Sequence, residues 1–228
     1  ASIDACADAL AALGLAAGER ILISMPTSPQ GVIAFYAANK LGAVPALIHP
    51  LSTAPEIEHY LNASRARIAL TLDAFYERFA ATKPKLPLEK LILARIPDYL
   101  SPLKKFGFWL TKGRKIARVP ADVRVSWWTD LMTRPHPAVP LGGATTHDPA
   151  AILFSGGTTG MPKGILLSNR NFIAEGMQAA AWGGMAGGDT MLAILPIFHG
   201  FGLGVCVNTI FMAGGKSILV PMFSAEIV

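Results

Sequence analysis

The hydrophobic pattern of the chain alternates between two kinds of segment. Short apolar runs are separated by longer stretches in which apolar residues recur at helical spacing. The predicted strands lie at 20–25, 43–49, 67–72, 90–94, 150–155, 164–167, 190–194 and 216–220. Strands that alternate with helices favour an α/β fold, here with mostly parallel sheets and flanking helices.

Capping residues predict where several of the helices begin. Ser28 followed by Pro29 is typical of a helix start, and that helix is expected to end near Gly42. Thr53 and Glu56 have the spacing of a capping box, which opens a helix through Leu61. Further helices are predicted from Ile3 to Leu13, from Ser168, near 201–213 and from Phe223.

Residues 133–149 interrupt this alternation. The segment holds four prolines and two glycines, which is typical of a linker or a long surface connection. We therefore expect two sublobes, at 1–132 and 150–228, joined by this connection.

Composition narrows the class of protein. Hydrophobic residues make up 52 % of the 228 residues and charged residues 15 %, so neither a disordered chain nor a coiled coil is expected. No apolar run is long enough for a transmembrane helix, and the first residues lack the pattern of a signal peptide. Cys6 and Cys206 have no pairing or ligand spacing, which predicts reduced, buried thiols in a cytoplasmic protein.

The formal net charge of +5 is concentrated in one segment, 103–118. No acidic residue lies between Asp98 and Asp122, and aromatic and aliphatic residues are interleaved with the basic ones. Those basic residues are Lys104, Lys105, Lys112, Arg114, Lys115 and Arg118. One interpretation is a solvated helical face whose apolar side packs on the core. The other is a peripheral contact with anionic lipid, which would make a cytoplasmic protein membrane-associated. No motif for nucleic acid accompanies the charge.

The sequence ILFSGGTTGMPKG, residues 152–164, carries the clearest candidate chemistry. Glycines allow the backbone N–H groups of a loop to turn inward and form a concave anion site. Hydroxyl groups and one lysine add donors and positive charge, so the composition favours a polyphosphate over an ordinary tight turn. The residues concerned are Ser155, Gly156, Gly157, Thr158, Thr159, Gly160 and Lys163.

This loop differs from two familiar nucleotide-binding motifs. A Walker A loop continues into a helix after its lysine, whereas Lys163 follows Pro162 and precedes a strand-like run. The dinucleotide fingerprint fails as well, because Val205 stands where the last glycine of the Gly200 to Gly204 segment would be needed. We therefore predict a loop that joins two strands.

Three blocks in the same order resemble the adenylate-forming superfamily of acyl-CoA synthetases, luciferases and peptide-synthetase adenylation domains. They are SGGTTGMPKG, the upstream segment 13–68, and LPIFHGFGLG at 195–204. Within the superfamily the chain is most similar to fatty acyl-CoA ligases. The resemblance implies an incomplete N-terminal domain of an acyl-CoA synthetase-like fold.

The resemblance also implies a reaction in two steps. A carboxylate, here a medium- or long-chain fatty acid, attacks the α-phosphate of Mg²⁺-bound ATP, and coenzyme A then displaces AMP. The loop residues named above would hold the phosphates. His199 would lie at the acid-binding site, with Phe198, Gly200 and Phe201 around it. Relatives that activate amino acids carry Asp at this position, so an amino acid substrate is not expected.

The later blocks of the family have no match in the 228 residues. Among them are the segment that binds adenine and Mg²⁺ and the C-terminal domain with its catalytic lysine. The sequence therefore predicts a fragment that does not form acyl-AMP by itself. Two alternatives remain: another phosphate-binding protein of the kinase or NTPase kind, and a non-catalytic relative that keeps the fold.

Overall fold

A seven-stranded sheet organises the computed structural model, which describes residues 1–139, 144–156 and 160–221. Its strands are β1 (Arg20–Ser24), β2 (Val44–Leu47), β3 (Ile68–Leu72), β4 (Lys90–Ala94), β5 (Val125–Trp127), β6 (Pro149–Ser155) and β7 (Lys163–Ser168). Their order in space is β5-β4-β3-β1-β2-β6-β7. Every neighbouring pair is parallel except β6 and β7, which form an antiparallel hairpin. A second sheet pairs β8 (Thr190–Ala193) with β9 (Lys216–Leu219) in parallel.

Helices precede, connect and follow the strands of the two sheets. They are α1 (Ser2–Ala12), α2 (Pro29–Lys40), α3 (Ala54–Ser64), α4 (Tyr76–Ala80), α5 (Pro102–Thr111), α6 (Trp128–Thr133), α7 (Asn169–Trp182), α8 (Gly200–Leu203) and α9 (Ile210–Met212). A π-helical turn at Gly204–Thr209 joins α8 to α9. The predicted α/β class, with mostly parallel strands, is confirmed.

Strands β1 to β4 are buried on both faces, as their continuous apolar runs require. Ile21 and Ile23 of β1 lie in one core cluster with residues of α1 and α2. Leu22 points to the opposite face, where it belongs to a cluster with Ile57 of α3. All three strand residues are at most 1 % exposed. Successive strand residues therefore fill two separate cores.

The predicted helix starts are present with their caps. The hydroxyl of Ser28 accepts a hydrogen bond from the N–H of Gly31 at 3.4 Å, and Pro29 occupies the first turn. The carboxylate of Glu56 accepts from the N–H of Thr53 at 2.7 Å, which completes the capping box of α3. These local interactions satisfy backbone groups that a helix start leaves unpaired.

The proline-rich connection leads back into the large sheet. Strand β6, which follows it, pairs with β2 through Ala46 opposite Ile152 and Leu47 opposite Leu153. One sheet therefore contains strands from both sides of the connection, and the division into sublobes stays a prediction. The helix predicted from Phe223 lies outside the described residues.

Two further observations concern burial. Cys6 and Cys206 are both buried free thiols, as predicted. Among the described residues, no helix combines the length and the apolarity needed to cross a bilayer.

A charged pair fixes the loop before β5, and its loss is expected to cost stability. Asp122 accepts hydrogen bonds from Arg124 at 2.7 Å and from the Tyr76 hydroxyl at 3.1 Å, and its side chain is 10 % exposed. The Arg124 hydrogen bonds hold the pKa of Asp122 well below its usual range. The unfolded chain therefore binds a proton at higher pH than the folded chain. This stabilisation is complete above the unfolded pKa, near 4, and is lost as pH falls below it.

We expect Asp122→Asn to lower the free energy of unfolding by about 2 kcal/mol at neutral pH, measured by urea denaturation. The difference from the wild type should shrink as pH falls below about 4. Asp4→Asn is the control, because Asp4 pairs with Lys40 on the surface and is 53 % exposed, so its replacement should change little. Equal effects of the two variants would contradict a special role for the Asp122 pair.

Candidate functional site

The glycine-rich loop joins the two strands of the β6–β7 hairpin. Ser155, the last residue of β6, lies directly opposite Lys163, the first residue of β7. Directly opposed residues of an antiparallel pair project to the same face. The hydroxyl and the ammonium group therefore flank the base of the loop on one side of the hairpin.

The described part of the loop is open to solvent. Ser155, Gly156, Gly160 and Lys163 are exposed, and a Cβ atom added to Gly156 or Gly160 would meet nothing within 4 Å. Lys163 forms no ion pair with any carboxylate of the described residues. The predicted site residues Gly157, Thr158 and Thr159 lie outside the described residues. The described donors are therefore accessible to an anion.

The chain continues as a strand after Lys163. Residues Lys163–Ser168 form β7, and the next helix, α7, begins only at Asn169. A Walker A loop requires a helix at the lysine. The loop is therefore not of the kinase or NTPase kind considered above, and the predicted strand–loop–strand arrangement is confirmed.

Side chains from α3 hold the far end of this loop. The ring of His59 makes a hydrogen bond of 2.9 Å through Nε2 to the carbonyl oxygen of Pro162, 103 residues away along the chain. The carbonyl can only accept, so Nε2 donates. Next to it, the rings of Tyr60 and Phe154 are 4.5 Å apart. Helix α3 thus contacts both the loop and the strand that leads into it.

The turn that carries His199 follows β8. The N–H of His199 donates to the carbonyl oxygen of Pro196 at 3.1 Å, and α8 begins at the next residue, Gly200. Residue Gly202 packs against this turn so closely that an added Cβ would lie 2.1 Å from the Pro196 oxygen. Close packing against the backbone of the turn explains why residue 202 is a glycine. The next residue, Leu203, is fully buried.

The two sequence-predicted regions meet in one small pocket. Its volume is about 160 Å³. Predicted residues Gly156, Phe198 and His199 line it, together with Leu47, Ile48, His49, Tyr60, Phe154 and Pro162. Residues 43 positions apart along the chain, Gly156 and His199, thus face the same space. Phe201 is 62 % exposed and, like Gly200, is not among the lining residues.

His49 is a pocket residue that the sequence did not single out. It follows the carboxyl end of β2, and its ring centroid lies 4.6 Å from that of Phe198, which in turn is 4.7 Å from the His199 ring. The N–H of Leu51 donates to Nδ1 of His49 at 2.9 Å, which leaves Nε2 to carry the proton of the neutral ring. Burial and the nearby His199 lower the pKa of His49. At neutral pH, His49 therefore offers the pocket a neutral imidazole.

The lining of the pocket offers both polar and apolar groups to a ligand. It combines two imidazoles and an aromatic wall with the exposed start of the glycine-rich loop. The described residues contain no group of three or more His, Cys, Asp or Glu side chains placed to hold a metal ion. Any Mg²⁺ would therefore need ligands other than such a cluster.

The chain is similar in sequence to curated acid–CoA ligases. The chain is 29 % identical over 221 residues to a long-chain-fatty-acid–CoA ligase of Bacillus subtilis, covering 92 % of this chain and 38 % of that protein. It is 31 % identical over 225 residues to a 4-coumarate–CoA ligase 1 of Oryza sativa, covering 92 % and 34 %. It thus spans little more than a third of the length of these relatives.

The chain also resembles acyl-CoA ligases of known structure. A long-chain-fatty-acid-CoA ligase from Archaeoglobus fulgidus superposes with a TM-score of 0.78 at 25 % identity, over 99 % of this chain and 40 % of that one. This agreement confirms that the chain has the N-terminal fold of acyl-CoA ligases. The family model of the AMP-binding enzymes matches residues 1–227. The chain therefore belongs to the AMP-binding enzyme family.

Proposed function

We propose that the protein containing this chain joins a carboxylic acid to coenzyme A at the expense of ATP, with AMP and pyrophosphate as products. Family membership and the ligase relatives support this reaction class. The observation that carries the proposal is the shared pocket, in which the glycine-rich loop and His199 face the same space.

In the first step, a carboxylate oxygen forms a bond to the α-phosphorus of ATP. The bond from that phosphorus to the bridging oxygen of the β-phosphate breaks, and pyrophosphate leaves. Both reactants are anionic, so hydrogen-bond donors must hold the leaving group and reduce the repulsion. We assign this role to the loop, Ser155, Gly156, Gly157, Thr158, Thr159, Gly160 and Lys163.

His199 would orient the attacking carboxylate. An imidazole can donate a hydrogen bond to a carboxylate, and Phe198 holds the ring at one wall of the pocket. None of the described residues that line the pocket carries a negative charge that would pair with the ammonium group of an amino acid. We propose a medium- or long-chain fatty acid, with Gly200 and Phe201 on the side from which the acyl chain enters.

In the second step, the thiol of coenzyme A loses its proton to solvent and its sulfur forms a bond to the acyl carbon, while the bond from that carbon to the AMP oxygen breaks. Mg²⁺, when bound, would neutralise charge on the triphosphate. Because the described residues include no metal-binding cluster, we assign it no ligand here. The chain's own contribution is to position the phosphates and the acid.

The experiment is acid-dependent exchange of pyrophosphate into ATP by the full product of the reading frame that encodes this chain. We expect exchange with palmitate and, with coenzyme A present, formation of palmitoyl-CoA. Parallel reactions with 4-coumarate and with an amino acid test the acid class. The 228-residue chain alone should release no pyrophosphate above the blank. Failure with every acid would favour a non-catalytic relative of the family.

The contact from α3 to the loop gives a separate prediction. His59→Leu removes the donor to the Pro162 carbonyl, so the loop loses an anchor on one side. We expect the KM for ATP to rise about tenfold, since a hydrogen bond that positions charged phosphates is worth roughly 1.5 kcal/mol. His59→Gln keeps a donor and serves as the control. A similar rise in both variants, or in neither, would contradict a positioning role for His59.

A further inference from the structure

The apolar side of α5 does not pack on the core. None of the ten residues of this helix, all of which are described, is buried. Leu103 is 81 % exposed, Phe106 59 %, Trp109 53 % and Leu110 45 %. Their spacing of three and four residues places them on one face of the helix. The first interpretation of this segment, a helix with its apolar side on the core, is therefore wrong.

Basic residues lie within α5 and directly after it. The six basic side chains between 104 and 118 are all exposed, and none forms an ion pair with a carboxylate of the described residues. The guanidinium of Arg114 lies 4.4 Å from the centre of the Trp109 ring, so positive charge borders the apolar face directly. Exposed aromatic and aliphatic groups next to unpaired cations suit the headgroup region of an anionic bilayer.

Other partners fit these residues less well. Two copies of the chain that met through this face would bring together two sets of six cations, which repel each other. A nucleic acid backbone would pair with the cations but would leave the side chains of Leu103 and Leu110 without apolar contacts. A bilayer with anionic headgroups satisfies both the charges and the apolar side chains.

The topology relates this face to the loop. Strand β4 leads to α5, and strand β6 leads into the glycine-rich loop; both belong to the parallel part of the sheet. Their carboxyl ends therefore lie at the same end of the sheet, with β3, β1 and β2 between them. We propose that α5 and the basic residues up to Arg118 form a docking surface for an anionic lipid bilayer.

The test is binding of the 228-residue chain to vesicles, followed by sedimentation. We expect binding to vesicles of phosphatidylcholine mixed with phosphatidylglycerol, and much weaker binding to phosphatidylcholine alone. Added salt should reduce the binding, because the attraction includes exposed charges. Equal binding to both kinds of vesicle, or to neither, would overturn the proposal.

Substitutions in and directly after α5 test whether this helix forms the lipid-binding surface. Lys104→Glu with Lys112→Glu, and separately Leu103→Ser with Phe106→Ser, should each weaken binding at least about tenfold. The matched controls are Lys216→Glu and Trp182→Ser, which alter an exposed cation on β9 and an apolar side chain that is 94 % exposed on α7. Thermal unfolding of each variant should match the wild type, since the altered side chains are exposed. Losses as large in the controls would refute the assignment to α5.

Two measurements test whether α5 contacts another protein surface instead of a bilayer. The same assay on the full product of the reading frame should give the same lipid preference, and loss of binding there would mean that the rest of that protein covers α5. Sedimentation velocity of the chain without lipid should show no dimer that Leu103→Ser with Phe106→Ser dissociates. Such a dimer would overturn the proposal in favour of self-association.

Discussion

Replacing Gly202 with alanine is expected to destabilise the fold strongly, because the structure leaves no space for the added methyl group. The new Cβ would lie 2.1 Å from the carbonyl oxygen of Pro196 and 2.7 Å from that of Leu195. Both contacts are with backbone atoms, so no side chain can rotate away and the turn itself must move. We expect the free energy of unfolding to fall by about 3 kcal/mol and the Tm by roughly 6–12 °C, measured by circular dichroism.

The same turn carries His199, so the damage should reach the pocket. The Pro196 oxygen that the new methyl group would displace also accepts the hydrogen bond from the His199 N–H. Gly200→Ala is the matched control in the same short helix, because its added Cβ would lie 3.5 Å from Leu153, an ordinary contact. That variant should be neutral or gain up to about 1 kcal/mol from helix propensity. Equal Tm values for the two variants would contradict the close packing of Gly202.

The second large effect concerns His199 itself and rests on the proposed function. In the full product of the reading frame, His199→Ala should lower kcat/KM for the acid about 100-fold, because one positioned donor to a developing or attacking anion is worth roughly 3 kcal/mol. The KM for ATP should change little, since the loop that we assign to the phosphates is intact. Exchange of pyrophosphate into ATP gives the first quantity when the acid concentration is varied and the second when the ATP concentration is varied.

Two controls separate chemistry from folding in this experiment. His147→Ala removes an exposed imidazole outside the pocket and should leave kcat/KM unchanged. The Tm of His199→Ala should match the wild type, because the His199 side chain is exposed. If the variant kept full activity at an unchanged Tm, His199 would have no part in positioning the acid.

Local sequence patterns were sufficient to predict much of this fold. The strand of β1 is a continuous apolar run, and the starts of α2 and α3 follow from Ser28, Pro29, Thr53 and Glu56, each acting within three or four residues. The strand after Lys163 was also predictable, since Pro162 disfavours a helix there. These features depend on short stretches of chain, which a single sequence displays directly.

Other features depend on contacts between distant residues and could not be read from the sequence. His59 reaches Pro162 across 103 residues, and His49 meets Phe198 only after β2 and the turn before α8 come together. The one local signal for His49 was its place just after a buried strand, where parallel sheets present functional side chains. The amphipathic pattern of α5 was visible in the sequence. The sequence did not show whether its apolar residues face the core or the solvent. The π-helical turn at Gly204–Thr209 had no sequence signal that we recognised.

The β6–β7 hairpin has a consequence for how such proteins vary. The register of β6 is fixed by its pairing with β2 and by buried residues such as Ala151, well before the chain reaches the loop. Insertions or deletions among the loop residues would therefore leave these strands in register and change the free energy of unfolding little. Selection can therefore act on the loop residues for binding, while the paired strands supply the stability.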